Sequence, residues 1–516
     1  MSYHVIGIGG SGAKSVESLI HLCAAGLMPD GELNAFFIDP DISNGTLERA
    51  LHTLQQYADC KNIALGNTDL FKTRINLAKP TVWSPFGEGA HPTLENFFHY
   101  SALKAQNEAA ANLFDVLFSP QEKKVVLDEG FLGHPSIGAA VMARNVELSG
   151  DEPWKTFRNR VDVEARTGGG CKIVLMGSIF GGTGASGIPT IARLIKDEFK
   201  QYENIKIGAV LLLPYFSFAS AEKKLPDGRV FMLNPQNFML NTQAALKFYY
   251  NQNDLRAFDF LYLMGEHLMV EVKDTSAGGN TQKNAPHFIE VYAALSAIDF
   301  FKNIDTKLGQ NEYKDRRYNL VARGNLEKLE WSDFPDDSAG NLVKRNLGRL
   351  LHFAFAYLAV YYPMLQDVRK KGSTYRPPWY IQFFERKKLS LEDDQVQKNL
   401  EYMKSYCETY LKWLANIHNC PDELKVELCQ YKAFSEVKDK VVTLLPAERF
   451  NLQVFENLVS LEGKEEPNGL NRLWTRMSDA RVRDPNADEL GKFFQALFRE
   501  CMIEEKAGQK EASNGK

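Results

Sequence analysis

The run Gly181-Gly182-Thr183-Gly184-Ala185-Ser186-Gly187 lies between an apolar stretch, Ile173-Val174-Leu175-Met176, and a helical pattern from Ile188 to Ile195. Strand, glycine turn and helix in that order aim backbone N–H groups and a helix N-terminus at one spot, which is how a chain grips a phosphate without charged side chains. A second turn opens the chain: Val5-Ile6-Gly7-Ile8-Gly9-Gly10-Ser11-Gly12-Ala13-Lys14. It matches the dinucleotide pattern GxGxxG, and Asp39 ends the next apolar run, where a ribose-binding acid would sit. Alone it would fit an NAD(P)- or FAD-dependent oxidoreductase. It is not a Walker A loop, because Ala13 separates Gly12 from Lys14-Ser15. A dinucleotide needs one pyrophosphate turn. A nucleoside triphosphate held by backbone donors and helix ends needs several, and the second turn favours that reading.

The elements that must position these turns follow from periodicity. Residues 3–8 read as a strand and Ser11–Ala24 as a helix with Val16, Leu19, Ile20 and Cys23 on one face. Leu33–Ile38 is a second strand, ending in Asp39-Pro40-Asp41, so the order is βαβ and the sheet is parallel. Residues 44–125 read as helices with an irregular Pro/Gly-rich excursion around Lys79-Pro80 to His91-Pro92. The loop Gly130–Gly138 opens a helix at Ala139. Ile205–Leu213 and Phe258–Met264 are further strands, with a helix through Gln243–Tyr250 between them. A long helix runs from Ala285 to Phe301. The fold class expected is α/β, a doubly wound parallel sheet, followed by a mainly helical C-terminal domain. Beyond residue 340 helical periods dominate, over Leu347–Val368, Asp393–His418, Leu424–Leu444, Phe455–Leu461, Leu470–Met477 and Leu490–Cys501, with no convincing strand. The expected division is 1–305, a connector over 306–340, a helical domain over 341–503 and a disordered polar tail over 504–516.

Composition sets outer bounds. The chain has 516 residues, too many for one core, and its net charge of −4 argues against a large nucleic-acid surface. Seven cysteines at 23, 60, 171, 407, 420, 429 and 501 form no CxxC pair, which suits reduced thiols in the cytoplasm. The apolar segment Leu350–Leu365 is short for a bilayer and contains His352 and Pro363, so it reads as a core helix and no transmembrane segment is expected. Ten histidines include no HExxH and no paired spacing with a third ligand, so no zinc site is expected.

Four loops at successive strand ends resemble those of the tubulin/FtsZ superfamily, in its divergent prokaryotic tubulin-like branch. The family signature GGGTG(T/S)G is similar to Phe180–Gly187, with Phe180 in place of the first glycine and one extra residue before Gly187. The glycine-rich first loop corresponds to Gly9, Gly10, Ser11 and Gly12. Asp39-Pro40-Asp41 resembles the D-x-E loop near metal and phosphates. Gly133-His134-Pro135-Ser136-Ile137-Gly138 resembles the γ-phosphate loop, and Pro214 the ribose-side loop. The helix from Ala285 is similar to the central helix of tubulins, with Asn284 where the family places an Asn or Asp against guanine.

The resemblance implies GTP or GDP as ligand with Mg²⁺, and Asp41 as the metal ligand. It implies phosphate contacts from Gly9–Gly12, Gly133, Pro135, Ser136, Gly138 and Gly181–Gly187, with Thr183, Gly184, Ala185 and Ser186 in the last run. It also implies head-to-tail self-association in an oligomer or filament, and a hydrolysis loop, N-x-D-x-x-D/E, that acts on the neighbouring subunit's nucleotide. Asn303 and Asp305 fall at that loop, but Leu308 replaces its final acid, so slow or assembly-dependent hydrolysis is expected. The alternative is a nucleotide-gated scaffold without turnover that docks a protein partner through its helical domain.

Overall fold

The computed structural model describes residues 2–86, 92–127, 131, 134–145, 150, 152–218, 221–224, 230–233, 237–251, 254–272, 284–310, 317–324, 326–335, 342–371, 375–419, 424–439, 441–459, 465–466, 469–501 and 504–505. The chain forms two compact units. The first comprises residues 1–20, 28–54 and 73–324, and the second residues 21–27, 55–72 and 325–516.

The first unit is built on a seven-stranded sheet, in which every neighbouring pair is parallel. Its strands are β1 (Ser2–Ile8), β2 (Glu32–Ile38), β3 (Arg74–Trp83), β4 (Cys171–Ser178), β5 (Ile205–Leu212), β6 (Phe260–Met264) and β7 (Tyr318–Val321). The spatial order is β7-β6-β5-β4-β1-β2-β3. The order reverses between β1 and β4, and in open parallel sheets a crevice for ligand lies beyond the strand ends at that point. β1 and β4 are buried along their whole length, as strands covered on both faces must be.

Period-two alternation sorts the two faces. Ile6, Ile8, Ile173, Leu175, Ile207 and Ala209 form one core with α5 (Thr183–Glu198), through Ile188, Ile191 and Ile195. On the other face Tyr3 packs 4.9 Å from Phe301, and the bare Cα of Gly208 makes room for Phe300. Both phenylalanines belong to the central helix α7 (Phe288–Leu308). The remaining helices that frame the sheet are α1 (Gly9–Ala24), α2 (Gly45–Lys61), α3 (Pro135–Asn145), α4 (Trp154–Arg166) and α6 (Asn237–Asn251).

Two strands of this sheet were not expected from the sequence. β3 lies at the sheet edge, is mostly half-exposed, and contains Pro80, which cannot donate to a ladder. Its register against β2 slips between Ala35 and Phe37, leaving out the residues around Pro80. β7, at the other edge, is only four residues long and falls in the expected connector. It carries the first unit on to Gly324.

The second unit is mainly helical. Leu342–Ala356 continues through a wider turn at Tyr357–Tyr361 into Tyr362–Lys371. Pro363 has no N–H to donate, and the wider turn, with Tyr362 N–H bonded to Tyr357 O, carries the chain past it without a break. Leu350, Leu351, Phe353 and Phe355 are fully buried, and among the described residues no helix is long and apolar enough to cross a membrane. Asp394–His418 starts where the Asp393 carboxylate accepts from the N–H groups of Gln395 and Val396.

The expected helix over Leu424–Leu444 is corrected. Lys425–Val426 pairs in parallel with Lys328–Leu329, and Ser435–Lys438 and Val441–Leu444 form an antiparallel hairpin. The hairpin is rich in Val and Thr, which favour strands, and Asp439 takes φ 50° at the turn. The expected helix at Phe455–Leu461 is replaced by 3₁₀ turns over Leu452–Asn457. Of the expected disordered tail, Glu504–Glu505 pairs with Glu465–Glu466, and residues 506–516 lie outside the described residues.

Candidate functional site

Both glycine turns leave the C-terminal ends of the neighbouring strands β1 and β4. Gly9 opens α1 at φ +72°, a left-handed conformation that a side chain would strain. A Cβ on Gly9 would lie 3.4 Å from the Thr183 Cβ, so the two turns stand side by side. Gly12 and Gly184 are places of close approach: a Cβ would meet Met176 O at 2.4 Å and Ser178 O at 2.2 Å respectively. Gly10 and Gly181 differ, since a Cβ on either would find one neighbour within 4 Å, Asn44 Nδ2 at 3.5 Å and Ser178 Oγ at 3.4 Å. Both distances are ordinary van der Waals contact, so neither position is crowded. The first N–H groups of α1 and α5 have no intrahelical carbonyl to bond and carry the positive end of the helix dipole.

Ala185, Ser186 and Gly187 are buried in α5. Ala185 O accepts from Tyr249 Oη at 2.6 Å, Ser186 Oγ donates to Gly182 O at 2.7 Å, and Gly187 packs on Ile8. The Ser186 N–H also bonds Gly182 O, at 3.2 Å, within the helix. Phe180 is buried against Phe216 and Phe238, at 5.4 and 4.8 Å between ring centres. It serves as core where the signature has glycine.

The loop after β2 adjoins the first turn. Asn44 Oδ1 accepts from Thr46 N at 2.9 Å, capping α2, while its amide nitrogen faces Gly10. Asp39 and Asp41 are both buried. Asp39 Oδ1 accepts from Asp41 N at 3.1 Å, and Asp41 Oδ1 accepts from Ser43 N and Ser43 Oγ. Burial pushes the Asp39 carboxyl up to about 8, and the negative charge of Asp41 adds to the rise that the hydrogen bond from Asp41 N opposes. Two crowded carboxyls at a strand end, beside phosphate-type turns, are a donor set that a hard divalent cation would relieve.

The third expected loop reaches the second turn. α3 begins at Pro135, Ser136 is exposed, and a Cβ on Gly138 would strike Ser186 Oγ at 2.2 Å. Gly133 lies outside the described residues.

The start of the central helix is three residues later than expected, at Phe288. His287 is its N-cap and Glu290 closes a capping box, accepting from His287 N at 2.9 Å. Burial holds the His287 imidazole well below its ordinary range, and Lys14 and Arg323 push it the same way. Glu290 also accepts from Tyr215 Oη at 2.8 Å and pairs with Lys14. Pro214, buried, therefore leads into a residue fixed to the central helix. Asn284 is half-buried and its carbonyl accepts from Arg49 Nη1 at 2.7 Å, while Arg49 grips Glu17 of α1 with Nε and Nη2. Lys14, Arg49, Tyr215 and Glu290 are what sequence reasoning missed. The only signal was the position of Lys14 just past the first turn.

Asn303 and Asp305 are not brought to these loops. Asn303 Nδ2 donates to Asp299 Oδ1 at 2.8 Å, and Asp305 pairs with Lys172 at 2.7 Å. Lys172 is the second residue of β4, and the glycine turn follows Ser178, six residues on. At about 3.3 Å per residue that is about 20 Å away, toward the other end of the sheet. Phe288, the first residue of the central helix, is fully buried, with the Arg323 guanidinium 5.7 Å from its ring.

No family model matches the chain, and no curated protein does. Among solved structures it is similar to CetZ2 from Haloferax volcanii, described as a GTPγS-bound protofilament, at 14% identity over 60% of this chain and 63% of that one, with a TM-score of 0.26. It is also similar to CetZ from Methanosaeta thermophila strain DSM 6194, at 12% identity over 60% of this chain and 56% of that one, with a TM-score of 0.24. The chain thus spans less than two thirds of either relative, and likenesses at these scores carry no functional weight.

Proposed function

We propose that the chain is a tubulin/FtsZ-like protein that binds a guanine nucleotide with Mg²⁺. The observation that carries this reading is the pairing of two glycine turns, with Gly9 beside Thr183, at the ends of the two strands where the sheet order reverses. A dinucleotide fold has no use for the second turn. In this reading the backbone donors of Gly9–Gly12 and of Gly181–Ala185 hold phosphates, with Gly10 and Gly181 leaving space for them. Pro135, Ser136 and Gly138 flank the terminal phosphate. Asp41 holds Mg²⁺, which supplies charge neutralisation when bound, and Asn44 adds a side-chain donor near Gly10. Asn284, whose amide offers a donor and an acceptor, meets the purine edge, with Pro214 on the ribose side. The protein acts in the cytoplasm.

The position of Asn303 and Asp305, about 20 Å along the sheet from the turns, supports head-to-tail self-association, in which they orient water on a neighbour's nucleotide. A second reading is a nucleotide-gated scaffold without turnover whose helical unit docks a partner. It is favoured by the ties of Asn303 to Asp299 and of Asp305 to Lys172, and by Leu308 in place of an acid. Titration with GTP, ATP and NADH tests the nucleotide assignment. GTP is expected to bind tightest, and equal or tighter binding of ATP or NADH overturns it.

A further inference from the structure

At the end of the sheet away from the glycine turns, His4, Glu164 and Cys171 place one donor atom each within 4.8 Å of one another. His4 lies on β1, Cys171 begins β4, and Glu164 comes from the last turns of α4. The β1–β4 pairing, with Ser2 opposite Cys171, brings together residues whose spacing in the chain gives no hint of a site. His4 and Cys171 are buried, and the Glu164 side chain is 26% exposed, which leaves an approach from solvent.

We propose that these three residues bind a zinc ion. The donor set is imidazole, carboxylate and thiolate, the mixture that zinc takes in preference to magnesium or calcium. His4 Nε2 stands 3.3 Å from Glu164 Oε2. Two N/O donors in a tetrahedral zinc shell lie about 3.4 Å apart, so these two atoms already hold the separation the metal needs. Zn²⁺ with one thiolate and one carboxylate is neutral overall, which suits a buried setting. Binding breaks the Cys171 S–H bond, forms a sulfur–metal bond with the electron pair left on sulfur, and releases the proton to solvent. The fourth position falls to water or to the Ser2 hydroxyl, which lies 3.2 Å from His4 Nε2 and accepts from Asn34 Nδ2 at 2.8 Å. The site is independent of the nucleotide reading.

The rival reading is a satisfied polar cluster in which His4, Ser2 and Cys171 hydrogen-bond the Glu164 carboxylate. Co²⁺ titration of the chelator-treated 516-residue chain separates the two. We expect one Co²⁺ per chain, a thiolate-to-cobalt charge-transfer band, and displacement by equimolar Zn²⁺. Cys171→Ser should abolish the band and Cys429→Ser, at another buried thiol, should retain it. Glu164→Gln, which keeps the side-chain shape, should weaken Co²⁺ by more than the about 10–100-fold typical of losing an outer partner. No charge-transfer band, or a band indifferent to Cys171→Ser and Glu164→Gln in folded protein, overturns the proposal. If Cys171→Ser does not fold, the Glu164→Gln affinity alone decides.

Discussion

Lys14 and Glu290 form an ion pair in which the two side chains are 4% and 0% exposed. Lys14 stands just after the first glycine turn and Glu290 in the first turn of the central helix, so the pair ties the candidate phosphate loop to that helix. It also commits Lys14, which follows the first turn directly, to a buried carboxylate. Removing one partner strands a buried charge. Glu290→Ala should therefore destabilise the protein by about 3–5 kcal/mol, and Lys14→Met added to it should recover part of the loss. Chemical denaturation of the single and double variants checks this. A loss below about 1 kcal/mol for Glu290→Ala would mean the pair is solvated in solution.

Glycine substitutions should divide into two classes. At Gly10 and Gly181 a Cβ meets one neighbour at an ordinary contact distance, 3.5 and 3.4 Å, so in Gly10→Val and Gly181→Val the fold should survive within about 1 kcal/mol while nucleotide binding is lost. Gly184→Val drives a Cβ to 2.2 Å from the Ser178 carbonyl and should fail to fold. Folded Gly10→Val and Gly181→Val proteins that bind GTP as the parent does would remove these turns from the site.

Any GTP hydrolysis should be slow and rise more than linearly with protein concentration, because Asn303 and Asp305 lie far from the turns of their own subunit. Asp305→Ala should lower turnover with GTP affinity unchanged. A turnover rate proportional to concentration and indifferent to Asp305→Ala contradicts this role.

Stability should fall on mild acidification. Burial lowers the His418 imidazole to about 3, and burial lowers His352 and His287 in the same direction. In the unfolded chain these groups titrate near 6.5. Protons thus favour the unfolded state below that value. The stability is fully present above about pH 6.5 and is lost as pH falls toward the folded value, at about 1.4 kcal/mol per unit for each group. Between pH 7.5 and 5.0, His418 alone should cost about 2 kcal/mol. His418→Gln keeps an acceptor for the Cys429 N–H and cannot take up a proton, so its denaturation midpoint should depend less steeply on pH. Equal pH dependence of the two proteins contradicts the assignment.

The sequence made the glycine turns and their strands legible because each is a local pattern: an apolar run, glycines, a helical period. β1 and β4 are buried throughout and β5 nearly so, and each carries an apolar stretch, such as Ile173–Met176 and Ala209–Leu212. β3 was hidden by Pro80 and by its half-exposed edge, and the hairpin at Ser435–Leu444 by short strands whose residues also fit a helical period. The start of the central helix was misplaced because its cap is a histidine, a residue outside the usual capping set. Of the site's supporting network, only Lys14, just past the first turn, left a trace in the sequence. Arg49 reaches the Asn284 carbonyl across 235 residues of chain, and no spacing encodes such a contact.

The nucleotide that the chain itself selects decides whether it is a guanine-nucleotide binder. The 516-residue chain, incubated with an equimolar mixture of GTP, ATP and NADH, desalted and denatured, releases what it held for identification by chromatography. Guanine nucleotide is expected, approaching one per chain, and should be lost in Gly181→Val. Retention of ATP or NADH at or above the level of GTP would contradict it.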